Sequence, residues 1–173
     1  MKSDEILMIG DSLIEYGDWE TLLGKAVINR GMGGDTTEGV LMRIGRSLER
    51  RPDKIFLMVG VNDIITGETT AFTARNYEAI LQKIRALSPD SAVYVHKALP
   101  CNPEKLFFVF DNRRVTALNW EIERLAEKYS AECIDLWDVL TENGELLPAY
   151  TLDGVHLTAP AYALWAQKLR RLL

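Results

Sequence analysis

Cysteine is nearly absent from this chain: Cys101 and Cys133 are the only two among 173 residues. They form neither a metal-binding spacing nor the even-numbered framework that staples small secreted domains, so both are read as free thiols of a reducing compartment. Histidine is as scarce, with His96 and His156 alone, too few for the ligand set of a metal enzyme. No metal and no cofactor is called for. Long apolar runs are missing as well, since none approaches the ~18 residues of a membrane span. The opening Met1-Lys2-Ser3-Asp4-Glu5 leads only into a short apolar run and lacks the cleavage site of a signal peptide. The cytoplasm is the expected location. Excess basic charge is the last absence. Twenty Lys and Arg against 25 Asp and Glu give a net charge of −5, and no dense basic block marks a nucleic-acid partner. Arg43, Arg46 and Arg50 do share one helical face, which reads as a solvated face.

What remains is an ordinary folded composition, 47% hydrophobic and 26% charged. The length suits one domain, residues 1–173, with a core that needs no staple. Short apolar runs at residues 6–9, 26–28, 55–59, 92–95 and 131–134 read as strands. Between them lie stripes of helical period: Ala74, Tyr77, Leu81, Ile84 and Leu87; Val115, Leu118, Ile122, Leu125 and Tyr129; Tyr162, Trp165, Leu169 and Leu172. Asp35 looks like the N-cap of a further helix running to about Arg50, with Glu38 at its third position. Strands of continuous apolar character alternating with helices predict a three-layer α/β/α domain around a five-stranded parallel sheet. Two stretches, residues 99–111 and 138–157, show no clear element, and loops of that length are usually functional or misread.

Open parallel sheets bind ligands at the carboxyl ends of their strands. The residues at those ends carry chemistry. Gly10-Asp11-Ser12-Leu13 follows the first strand, Gly31-Met32-Gly33-Gly34-Asp35-Thr36-Thr37 the second, and Gly60-Val61-Asn62-Asp63 the third. Asp153-Gly154-Val155-His156 precedes the last helix. Serine becomes a nucleophile when a base takes its proton, and imidazole serves near neutral pH. The imidazole in turn needs an acid on its other nitrogen. Ser12, His156 and Asp153 fill these roles, because a tight glycine turn can bring residues three apart face to face. Asp135 and Asp138 are alternative acids. A tetrahedral oxyanion needs donors already in place, and the candidates are the Ser12 N–H, the Gly34 N–H and the Asn62 carboxamide.

Each piece has a plainer reading. Gly-Asp-Ser is commonly a turn, residues 31–34 suit a strand-to-helix turn or a phosphate cradle, and Asn62-Asp63 is ordinary turn chemistry. His156 could simply precede the Thr158 cap and Pro160 of the final helix. His96, Trp19 and Trp165 are read as packing residues, and Asp11, Asp35 and Asp63 as turn and cap acceptors. The α/β-hydrolase pattern Gly-x-Ser-x-Gly is absent, since Leu13 and Ile14 follow Ser12.

The four blocks together, in this order and across nearly the whole chain, resemble the GDSL, or SGNH, hydrolases. The Gly-Gly-Asp-Thr-Thr block is most similar to the platelet-activating-factor acetylhydrolase catalytic subunits within that family. The resemblance implies a flavodoxin-like sheet of order 2-1-3-4-5. It also implies Ser12 as nucleophile, the Asp153–His156 pair as base, and Ser12, Gly34 and Asn62 as the oxyanion hole. The expected function is a serine esterase acting on small acyl, above all acetyl, esters. Lysophospholipase or thioesterase activity and a non-catalytic flavodoxin-like binding domain are the alternatives. The expected partner is a small-molecule ester, and relatives of this kind make a homodimer plausible. The apolar run at residues 106–110 leaves a strand end on the Ser12 side, and reads either as an extra core element or as a pocket wall.

Overall fold

Five apolar segments pair as one parallel sheet in the computed structural model, which describes residues 5–173. Residues 1–4, on which part of the leader reading rests, lie outside the described residues. The strands are β1 (Ile6–Gly10), β2 (Val27–Gly31), β3 (Lys54–Met58), β4 (Ala92–His96) and β5 (Glu132–Ile134). Their order is β2-β1-β3-β4-β5, as the resemblance implies. Strand β1 is buried throughout because neighbours pair on both edges and helices cover both faces. Edge strand β2 exposes Asn29 and Arg30 instead.

Side chains alternate across each strand, so the sheet feeds two cores. Leu7, Ile9, Ile55 and Leu57 meet α3 (Thr37–Leu48), α5 (Thr70–Leu87) and α6 (Asn112–Lys128) through Ile44, Leu48, Tyr77, Ile84, Leu118 and Ile122. Ile6, Met8, Phe56 and Met58 face the other way. They meet Leu13 of α1 (Ser12–Glu15), Trp19 and Leu23 of α2 (Trp19–Leu23), and Trp165 and Leu169 of the last helix (Ala159–Leu169). Trp19 and Trp165 are packing residues, buried edge to face at 4.7 Å. The Trp165 indole N–H donates to His96 Nε2 at 2.9 Å, and His96 Nδ1–H donates to Leu57 O at 3.1 Å. Burial drives His96 down to about 4, so it is a neutral core residue at physiological pH. No helix among the described residues is long and apolar enough to cross a membrane.

Three local expectations are corrected. The N-cap of α3 is Thr36, whose hydroxyl accepts from Gly39 N; Asp35 is occupied instead by Arg43. Arg43 itself is turned toward the ends of β1 and β2, while Arg46 and Arg50 stay exposed, Arg50 in a surface pair with Glu5. Thr158 caps the last helix by position, but its hydroxyl donates to Ala149 O. Of the two unassigned stretches, the second folds into α7 (Trp137–Leu140), a hairpin of β6 (Thr141–Glu142) and β7 (Glu145–Leu146), and a 3-10 turn at Pro148–Tyr150. The last helix is therefore α8. Residues 99–111 form neither helix nor strand. Their backbone is satisfied by asparagines, as the Asn112 carboxamide exchanges two hydrogen bonds with Cys101 at 2.8 and 2.9 Å.

Candidate active site

At the carboxyl end of β1, Asp11 caps α1 by accepting from Leu13 N at 3.0 Å and sets Ser12 as the first helical residue. A first-turn amide has no acceptor inside its own helix, which leaves the Ser12 N–H to an external oxygen. Ser12 is 6% exposed, and its Oγ lies 3.1 Å from His156 Nε2. On the far side of the ring, His156 Nδ1 lies 2.6 Å from Asp153 Oδ2. With Nδ1–H donating to the carboxylate, the Nε2 lone pair faces the serine hydroxyl.

The turn that holds this pair is local. Asp153 Oδ1 accepts from Val155 N at 3.0 Å and His156 N at 2.8 Å. Gly154, at φ +97°, reverses the chain, and its N–H donates to Thr151 Oγ1 at 2.9 Å. That backbone region favours glycine. Burial alone would raise the Asp153 carboxyl; the hydrogen bonds from the His156 side chain and from two backbone amides outweigh it and hold the group at about 2. Asp153 is thus ionised across the working pH range. Asp135 and Asp138 do not reach the histidine. Asp135 pairs with Lys97 and accepts from Trp137 N, while Asp138 pairs with Lys168.

The second and third strands bring the remaining donors. Residues 32–35 form a turn closed by Asp35 N donating to Met32 O at 3.1 Å, with Gly34 at φ +74° in its third position. Such a turn requires positive φ there and does not use that residue's N–H. Asn62, in α4 (Val61–Ile65), donates one Nδ2–H to Asp35 O at 2.8 Å, and its second N–H remains for a bound oxygen. Asp63 locks the neighbouring segments by accepting from Thr37 N at 2.9 Å and Thr37 Oγ1 at 2.5 Å. The structure thus gathers Ser12, Gly34, Asn62, Asp153 and His156 around one cleft of about 310 Å³.

Ile65, Leu106, Phe107 and Phe108 also line that cleft, while Phe110 packs against the main core. The segment is therefore wall at one end and core at the other. Tyr16, which no sequence pattern singled out, also lines the cleft, with its ring centroid 5.4 Å from that of His156. Its position one residue past a four-residue helix carries no periodic signal.

Asp11 is the electrostatic oddity. Burial pushes its carboxyl up to about 7 from an ordinary 3.8, against the pull of the Leu13 amide. Between those values the folded chain retains a proton that the unfolded chain has lost, so this group lowers stability as pH rises through the interval. Asparagine keeps a cap acceptor and has no proton to lose. Asp11→Asn should therefore raise the thermal midpoint relative to wild type above about pH 7, and the gap should close near the ordinary carboxyl value of 3.8. A gap of equal size at both pH values would contradict this.

The sequence model of the GDSL-like lipase/acylhydrolase family matches residues 8–164. Platelet-activating factor acetylhydrolase IB subunit alpha2 of Rattus norvegicus is 27% identical over 181 residues, covering 99% of this chain and 77% of the relative. Its Gallus gallus counterpart is 28% identical over 184 residues with the same coverage. Among solved structures, a Streptococcus pneumonia protein named for platelet activating factor superposes with a TM-score of 0.87 at 30% identity, covering 99% of this chain and 84% of that one. A lipase/acylhydrolase from Enterococcus faecalis shares the fold, with a TM-score of 0.83 at 23% identity over 98% of this chain and 95% of its own.

Proposed function

Because this chain belongs to the GDSL-like lipase/acylhydrolase family and is an ester-hydrolysing enzyme, we propose that it is a serine esterase of small acyl esters working through an acyl-enzyme. The observation that carries the reading is the hydrogen-bonded chain from Ser12 Oγ through His156 to Asp153, at 3.1 and 2.6 Å, at the edge of the cleft. His156 Nε2 takes the Ser12 proton as Oγ attacks the ester carbonyl. The oxyanion is met by the Ser12 N–H, the Gly34 N–H and the Asn62 Nδ2–H. Collapse returns the proton to the departing alcohol, and water repeats the sequence to release the acid. Residues 1–173 act as one domain in this reading, supported by two cores sharing one sheet.

Acetyl is the acyl group we favour, since the similar curated proteins are named acetylhydrolases and the cleft is small. Its lining carries no lysine or arginine among the described residues, which suits a neutral or cationic alcohol portion over an anionic one. Phe107, at 92% exposure, leaves the outer wall open. That single feature favours longer chains, as in a lysophospholipase or thioesterase.

An ester series from acetyl to dodecanoyl tests the assignment. Each methylene accommodated contributes ~0.8 kcal/mol, or roughly fourfold in kcat/KM. The wild type should prefer the short end, and Phe107→Ala and Phe108→Ala should move the preference toward longer chains. An unchanged chain-length profile in both variants would show that the wall does not select the acyl group.

A further inference from the structure

We propose that Arg43 is a positioning residue for the oxyanion hole, an inference that rests on the serine-esterase reading above. Its guanidinium donates through all three nitrogens. Nε reaches Asp35 Oδ2 at 2.7 Å, Nη1 reaches Arg30 O at 2.8 Å, and Nη2 reaches Gly10 O at 2.9 Å. These acceptors belong to two of the three segments that carry the oxyanion donors, and the third segment is tied to Asp35 through Asn62. Gly10 ends β1 two residues before Ser12, and Arg30 lies in β2, which delivers Gly34. Asp35 follows Gly34 directly, and its carbonyl receives the Asn62 Nδ2–H at 2.8 Å. One planar cation therefore braces every donor through at most a short stretch of backbone and one hydrogen bond.

The chemistry requires arginine. Three acceptors, one to each guanidinium nitrogen, suit a rigid fork, whereas a lysine ammonium is a point charge on a flexible stem that could satisfy Asp35 alone. The Arg43–Asp35 pair is partly shielded, with side chains 24% and 9% exposed, while the bond to Arg30 O faces solvent. Donors stabilise an oxyanion only when they are already aimed at it, and a displacement near 1 Å can cost on the order of 10²-fold in rate. Arg43 does not line the cleft itself. Its effect passes through Ser12, Gly34 and Asn62.

The test uses Arg43→Met and Arg43→Lys in the full chain, with kcat and KM on an acetyl ester and the thermal midpoint measured together. Arg43→Met should lower kcat by roughly 10–10²-fold with KM within about twofold, and Arg43→Lys should recover only part of the loss. Asn62→Ala alone should lower kcat by roughly 10²–10³-fold. In the Arg43→Met background the same change should cost about tenfold or less, because the donors no longer converge. A merely structural tie would lower the midpoint and leave the two losses multiplicative, which overturns the proposal. Wild-type kcat in Arg43→Lys overturns it as well. If Arg43→Met does not fold, the Asn62 cycle is run on Arg43→Lys, and failure of both to fold marks the residue as structural and refutes the proposal. An intact kcat in Asn62→Ala, or turnover that survives Ser12→Ala, would instead sink the esterase reading, and the Arg43 proposal with it.

Discussion

Ser12→Ala should lower kcat by roughly a millionfold, the scale on which a nucleophile's removal collapses a serine hydrolase to the background left by binding and oxyanion donors. The large effect follows from the geometry. Among the described residues of the cleft, only the hydroxyl 3.1 Å from His156 Nε2 is paired to a base that is itself oriented by a carboxylate. The substitution removes one oxygen and one partly buried hydrogen bond, so stability should change by only about 1 kcal/mol. Asp11 would still cap α1, because its acceptor bond is to the Leu13 amide. A fluorophosphonate should add a single adduct to the wild type, mapped to Ser12, and none to the variant. Adduct formation at full rate in Ser12→Ala would remove this residue from the mechanism.

The parts legible in the sequence are those whose determinants are local or strictly periodic. Strands β1 and β3 read as unbroken apolar runs because both faces are covered, and all five runs become strands with ends shifted by a residue or a few. The Asp153–His156 turn was legible for a similar reason: three residues and one glycine contain nearly all the bonds that hold it. Arg43 was not. Helical periodicity assigns a face but not what the face overhangs, and from the middle of α3 the Arg43 side chain reaches backbone carbonyls at the ends of β1 and β2 that no pattern records. Residues 99–111 were hidden differently. Their order comes from the Asn112 side chain on α6, which pairs with the Cys101 backbone, and from Asn102, which donates to Leu146 O at 2.7 Å. Such distant side-chain-to-backbone bonds carry no period.

Asp153→Asn should lower kcat by about 10⁴-fold while leaving the cleft intact. The carboxylate does two things that an amide cannot do together. It accepts the His156 Nδ1–H, which keeps the Nε2 lone pair toward Ser12, and its charge favours the imidazolium formed as Oγ attacks. Because Asp153 is held at about 2, it keeps its charge throughout the working pH range. Stability should follow the same carboxylate with its own sign. A group whose folded value lies below its ordinary 3.8 favours the fold above that pH, and this contribution is lost as pH falls toward about 2. The midpoint difference between wild type and Asp153→Asn should thus narrow as pH falls across that window. A preserved rate in Asp153→Asn would mean that some other group orients His156. In that event Asp135 and Asp138 would have to exchange their lysine partners for the imidazole, and Lys97→Met and Lys168→Met would then change kcat where they otherwise should not.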